Sequence, residues 1–175
     1  MSSQGSGLLP LNEALEKIRA ALKPVEGYAQ VTLAEALGRI LHEDILSPID
    51  VPGHRNSAMD GYAVAGSALP ESGEKDFKVV GTVLAGAPYG GTVAPDEAVR
   101  IMTGAVVPEG TDTVIMQEKA RREGDSVYFE AGHRKGENVR HPGEDIARNS
   151  TVLSTGRVIT PSDVGLLASL GIAEV

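Results

Sequence analysis

Three segments of the 175-residue sequence join glycine-rich turns to carboxylate or hydroxyl side chains: PGHRNSAMDGYAV (52–64), VRIMTGAVVPEGTDTVIMQE (99–118) and GENVRHPGEDIARNSTVLSTG (136–156). In the first, Asp60-Gly61 is a tight turn entering a strand, so Asp60 sits at a loop apex beside Ser57. In the second, Thr103-Gly104 follows the apolar run Val99–Met102 and places a hydroxyl and a closely approachable backbone at a strand end. In the third, Pro142-Gly143-Glu144-Asp145 is a turn whose carboxylates precede Ile146. Such groups bring acid–base chemistry from carboxylates and oxyanion binding from hydroxyl and backbone N–H donors within reach. Taken singly, each is first of all a structural turn, because Asp-Gly and Pro-Gly pairs form turns and Asp, Ser and Thr bond nearby backbone.

Other chemistry is narrowed by what the composition holds. The absence of cysteine removes disulfides, thiolate zinc sites and a cysteine nucleophile, and fits a reducing compartment, with the cytoplasm as the expected location. Of the histidines, His42, His54, His133 and His141, no two have the helical i, i+4 spacing of a metal site. His141, beside Glu144 and Asp145, is read as belonging to the only polar cluster, and the ordinary role of such loop histidines is solvated. A formal charge of −8 with scattered basic residues argues against a nucleic-acid partner. A small anionic substrate stays open, since a few arginines and backbone N–H groups make a local anion site inside an acidic protein. The polar start MSSQGSG has no export-signal pattern, and no apolar run approaches the ~18 residues of a membrane span, so a soluble, unexported chain is expected.

The elements that must position these turns follow from periodicity. Leu11, Ala14, Leu15, Ile18, Ala21 and Leu22 lie on one helical stripe, predicting a first helix that Pro24 and Gly27 end. A short strand is expected around Tyr28–Leu33, then a helical turn through Leu37 stopped by Gly38, and an apolar stretch at Ile40, Leu41 and Ile45. From Ser47 to Pro142, Gly and Pro recur between short apolar runs, the texture of a compact β domain, with a hairpin across Glu123–Asp125. Two short strands, TVL and RVI, precede a helix with Thr160 as cap, Pro161 first in the helix, Asp163 reaching back to the cap, and Gly171 as the stop. That helix reads as apolar on nearly all sides, predicting burial from more than one direction. With two Phe, four Tyr and no Trp, the core is expected to be built from Leu, Ile, Val, Ala and Met. The closing IAEV reads as the start of a strand, and the chain is expected to stop at a domain boundary.

Four signatures in fixed order, SAMDGYA, RIMTGA with the following P-G-T-D-x-V pattern, NVRxxGEDI and the closing GLLASLGIAEV, resemble those of molybdopterin molybdenumtransferases and of gephyrin's cofactor-synthesis domain, over about Leu8 to Val175. The resemblance implies an α+β, mostly β fold: a β-rich domain at 48–145 inserted into a small dimerising α/β segment made of 28–47 and 146–175, with an N-terminal helix in 1–27 that packs on a pterin-binding domain not present here. It implies a homodimer whose cleft lies between the pterin-binding domain of one subunit and the β-rich domain of the other. The substrates it implies are adenylylated molybdopterin and molybdate, and other proteins of molybdenum cofactor biosynthesis are further candidate partners. The family's functional positions fall on Asp60, Thr103 and Asp145 as catalytic candidates, with Ser57, Gly104 and Arg140 as cofactor-binding candidates. Carboxylates facing anionic substrates imply an intervening Mg²⁺, with Asp60 and Asp145 orienting water, acting as base or standing in the cation's outer shell. Two departures stand out: His54-Arg55 replace a common aromatic–acidic pair and are expected to alter charge near Asp60, and Asn149 replaces a frequent Gly after GEDI, at a turn Asn tolerates. A non-catalytic dimerisation or partner-binding module is the alternative function on the same fold.

Overall fold

The computed structural model describes residues 9–175; the polar start and Leu8 lie outside the described residues. Helix α1 (Leu11–Ala21) forms where the stripe predicts it, braced by a Glu13–Lys17 ion pair at 3.1 Å. It ends at an extended Leu22, two residues ahead of Pro24. No residue of α1 is buried, so its apolar stripe has no cover within the described residues.

The expected strand near Tyr28 is not a regular strand. Residues 31–33 instead exchange backbone bonds with the closing residues (Val31 N to Val175 O, 2.8 Å; Val175 N to Val31 O, 2.9 Å), and one-turn helix α2 (Leu33–Ala36) follows, with Gly38 at φ +78°. The IAEV end is therefore paired, as the second strand of a short antiparallel contact at Thr32 and Glu174. Strands β1 (Ile45–Leu46) and β10 (Thr151–Leu153) pair antiparallel, and helix α3 (Pro161–Ser169) packs behind them. The RVI segment makes only a single bridge, Val158 to Ile40, and Ile40 points outward rather than joining Leu41 and Ile45 inside. Together Ala36, Leu41, Leu153, Ile159 and Leu167 make a small core from both ends of the chain.

The capping box of α3 is complete: Thr160 Oγ1 accepts from the Asp163 backbone N at 3.4 Å, and the Asp163 carboxylate accepts from Thr160 N at 2.9 Å. The buried Asp163 also receives the fork of Arg157 at 2.9 and 3.0 Å. Helix α3 is buried on one side only, through Asp163, Leu167 and Leu170, with Gly165, Ala168 and Ser169 outside. Val164 and Leu166 flank that side, half-buried against the same core.

Between these ends lies a six-stranded mixed sheet in the order β6-β3-β5-β4-β8-β7, built from β3 (Gly61–Val64), β4 (Glu74–Val83), β5 (Glu97–Ile101), β6 (Thr113–Met116), β7 (Ala120–Glu123) and β8 (Ser126–Glu130). Only β4 and β5 run parallel, joined by the crossover 84–96. The hairpin β7–β8 turns at Gly124 (φ +57°), as expected. Strands β3 and β6 are buried along nearly their whole length because both sheet faces are covered, and β5 is buried at Ala98, Val99 and Ile101. Alternate residues serve two cores, Ala63, Val99, Ile101 and Val114 in one, Tyr62, Val64, Ala98 and Ile115 in the other. The second core centres on both phenylalanines of the chain, Phe77 and Phe129, with ring centroids 5.3 Å apart. The rest of the buried apolar set is Leu, Ile, Val and Ala as expected, with Tyr62 the one further aromatic; among the described residues methionine takes no part in it, Met59 being exposed and Met102 and Met116 half-buried.

Candidate functional site

The Asp60 turn stands at the entrance of β3, where three strand ends meet. Gln117 N, just past β6, donates to Asp60 O at 3.0 Å, which fixes the backbone of the turn. Immediately after it, Gly61 lies so close to β6 that a Cβ there would run into the Ile115 carbonyl. On the neighbouring strand β5 the chain continues two residues past Ile101 to Thr103, whose backbone N and Oγ1 both donate to Asp60 Oδ1 at 2.7 Å. Gly104, at φ +79°, then turns the chain away. These bonds hold the Asp60 carboxyl below its usual range, the Thr103 N–H contributing most, its hydroxyl next, and the Arg100 charge a smaller part.

Ser57 lies on β2 (Asn56–Ser57), which is held from two sides. Gly104 N donates to Ser57 O and Ser57 N to Ala105 O, at 2.9 and 3.0 Å. On the other side, β9 (Val139–Arg140) pairs with it in the register Asn56 to Arg140 and Ser57 to Val139. The Ser57 side chain is buried, with its hydroxyl donating to Met59 O at 2.5 Å, so it braces the turn from within. Across the ladder, Arg140 reaches forward along its own loop, paired through Nη2 with Asp145 Oδ1 and through Nε with Glu144 at 3.4 Å. Glu144 also accepts from His141 N at 2.9 Å, which is the main reason its carboxyl is held low.

Of the six residues picked out by sequence, Asp60 and Thr103 are in direct contact and Ser57 and Gly104 in backbone contact. Arg140 and Asp145 form a second group joined to the first through the β2–β9 ladder, with no hydrogen bond between Asp60 and Asp145. The polar cluster expected around His141 involves its backbone rather than its ring, and the acids there are engaged by Arg140. Nor is it the only polar cluster: His133, nearly buried, meets Glu137 at 3.4 Å, with Lys119 at 3.8 Å on the same carboxylate. The expected influence of His54-Arg55 on Asp60 is not what the geometry gives, because Arg55 donates to Thr111 O at 3.3 Å and the cation acting on Asp60 is Arg100. Asn149 does take the left-handed conformation, at φ +66°.

Sequence reasoning missed Arg100 and Gln117. Arg100 lies on β5 opposite Tyr62, donates to Gly61 O at 2.7 Å and pairs with the Gln117 side chain. A lone arginine inside the apolar run AVRIM was the available signal. Among the described residues no three His, Asp or Glu side chains converge into a self-contained metal site, while Mg²⁺ takes one or two carboxylates together with substrate oxygens. One Asp60 oxygen is committed to Thr103 and one Asp145 oxygen to Arg140. What the arrangement does offer is an oriented, ionised carboxylate at an exposed strand end, the Arg100 fork beside it, and exposed backbone at Thr103-Gly104.

The family model for the MoeA N-terminal region (domain I and II) matches residues 9–171. A molybdopterin molybdenumtransferase from Haemophilus influenzae is 44% identical over 169 residues, covering 96% of this chain and 41% of its own length. One from Staphylococcus aureus is 35% identical over 170 residues, covering 95% and 40% respectively. Among solved structures, the molybdopterin biosynthesis moeA protein of Pyrococcus horikoshii OT3 superposes with a TM-score of 0.88 at 34% identity, over 96% of this chain and 45% of that one. The chain thus spans about two fifths of the length of the curated relatives it matches.

Proposed function

The chain belongs to the MoeA N-terminal region family, and from that premise we propose that it supplies one wall of the cleft in which a cytoplasmic molybdopterin molybdenumtransferase inserts molybdate into adenylylated molybdopterin. The observation that carries this reading is the double hydrogen bond from Thr103 to Asp60, which joins two motifs 43 positions apart at an exposed end of the sheet. The antiparallel pairing of β3 with β5, with Gly61 opposite Ile101, brings the two strand ends together, and the paired donors of Thr103 then fix the direction of the carboxylate. In the proposed cleft Asp60 orients water or accepts a proton through the oxygen that Thr103 leaves free, and Arg140 pairs with an anionic group of the substrate by exchanging away from Asp145. Ser57 and Gly104 hold the two turns in place. Magnesium, which the resemblance implies, has no complete donor set among the described residues of this chain.

The same reading divides the chain into an opening helix within 1–27, a dimerising unit of 28–47 and 146–175, and an inserted β domain of 48–145. The pairing of β1 with β10 and the shared core of Ala36, Leu41, Leu153, Ile159 and Leu167 support that division. On its own the 175-residue chain binds molybdopterin weakly and does not insert molybdenum, since one wall neither encloses nor aligns reactants. A cofactor-reconstitution assay on the purified chain checks this; robust turnover without added protein overturns it. In a protein carrying this chain with the remaining domains, Asp60→Asn or Asp145→Asn should lower the insertion rate by about 10²-fold or more with little change in melting temperature. Normal rates with a lowered melting temperature would assign both carboxylates to structure. They would also favour the alternative, a non-catalytic association module, to which the uncovered stripe of α1 lends support.

A further inference from the structure

We propose that Arg100 is a positioning residue for the Asp60 carboxylate, fastening the strand ends on both sides of the Asp60 turn, with Gln117 relaying that hold to the Asp60 backbone. One guanidinium touches all three strands that meet there. Its Nη1 donates to Gly61 O, the carbonyl next after Asp60, at 2.7 Å, and to Ile101 O, two residues before Thr103, at 3.4 Å. Its Nη2 donates to the side chain of Gln117, and the backbone N of that same residue holds Asp60 O at 3.0 Å. The guanidinium carbon stands 5.2 Å from the centre of the Tyr62 ring, and Tyr62 is the partner of Arg100 in the β3–β5 register. A planar fork with several donors can serve three acceptors in fixed directions, which a lysine ammonium cannot.

The arrangement is more than a sheet brace, because its ties to Gly61 and Ile101 fall within two residues of Asp60 or Thr103 and its third goes to the residue whose backbone N holds Asp60, whereas ordinary sheet stability needs no arginine inside the apolar run of β5. Asp60 reaches Thr103 with a side chain of only two rotatable bonds, so it has little freedom to follow if the turn moves, and a shift of about 1 Å loses both bonds to Thr103. The charged neighbours of the turn are Arg100 on β5 and, beside Gln117, Glu118. The Arg100 charge also contributes to keeping Asp60 ionised, after the two bonds from Thr103.

This inference deepens the function proposed above and rests on that function only for its effect on insertion. Its test is read on the chain itself, by amide hydrogen exchange of Thr103 and by the Asp60 carboxyl carbon resonance followed through acid pH. Arg100→Gln should speed Thr103 exchange by about tenfold relative to a distant core amide such as Val127, and move the Asp60 midpoint up toward the ordinary aspartate value. Arg100→Lys, which keeps the charge but not the fork, should recover only the smaller part of the midpoint and little of the protection, separating charge from orientation. If Arg100→Gln does not fold, Gln117→Ala carries the test, since it leaves the contacts of Arg100 with Gly61 and Tyr62 in place and cuts only the relay; several-fold faster Thr103 exchange is expected. Thr103 exchange within twofold of the parent in these variants overturns the proposal, whether or not Asp60 takes part in insertion.

Discussion

At the scale of single residues, the carboxylates of this chain divide by what holds them. Asp60 is held by two donors from one threonine and keeps one oxygen free, a state suited to reactivity. Asp163 is held on all sides, by Arg157, Thr160 and its own helix cap, a state suited only to structure. The Arg157 fork, then the Thr160 hydroxyl and N–H, lower the Asp163 carboxyl from 3.8 to about 2. The sign of the linkage follows. A carboxylate whose folded value lies below its unfolded one adds stability above the unfolded value and loses it as pH falls through the folded value. The chain should therefore lose stability between about pH 4 and pH 2, and Asp163→Asn should remove that part of the loss. Melting temperature against pH for the two proteins decides it, and parallel curves through that window would deny Asp163 the role. Asp60, Thr103 and Asp145 were legible in the sequence because family motifs mark them, and Asp163 because a cap is a local pattern. Arg100 and Gln117 were not, since a long side chain inside a strand gives no sign of which distant carbonyl it will reach.

Elements were legible where their causes are local. Helix α1 follows from its stripe, α3 from Thr160, Pro161 and Asp163, and the β7–β8 hairpin from the glycine at its turn. The parallel pairing of β4 with β5 was not, because a crossover carries no periodic signal and register is fixed only once the strands bury a face against their neighbours. The pairing of residues 31–33 with the chain end was equally hidden, since neither segment alternates clearly. Close approach between β3 and β6 shows how a single residue sets an element's place. At Gly61 the strand lies against the Ile115 carbonyl with no room for a side chain. Gly61→Ala should therefore part β3 from β6, lower stability by about 1–3 kcal/mol and loosen the Asp60 turn. Urea unfolding measures the first effect and Thr103 amide exchange the second. A variant as stable as the parent would mean that the two strands separate without cost.

At the scale of the whole molecule, the buried apolar residues are unevenly shared. The sheet has a core on each face, with eight and seven fully buried apolar residues, whereas the unit made from the two ends of the chain has five. A unit that thin is marginal alone, yet it exposes much apolar surface. Ile40 and Val158 face each other across an antiparallel bridge, so they share one side, and they are 67% and 52% exposed. Nearby, Tyr28, Ile40 and Leu41 line an open groove of about 1190 Å³. Such a patch on the unit with the smallest core is where self-association adds most burial. We therefore expect a homodimer through 28–47 and 146–175, formed at tens of micromolar, where association amounts to about −6 kcal/mol. Sedimentation velocity should show twice the chain mass for the parent and the single chain mass for the double variant Ile40→Glu, Val158→Glu. Both side chains lie outside the core, so the variant should keep the parent's circular dichroism. A parent that stays monomeric overturns the dimer, and a variant that stays dimeric moves the interface elsewhere, the uncovered stripe of α1 being the next surface to test.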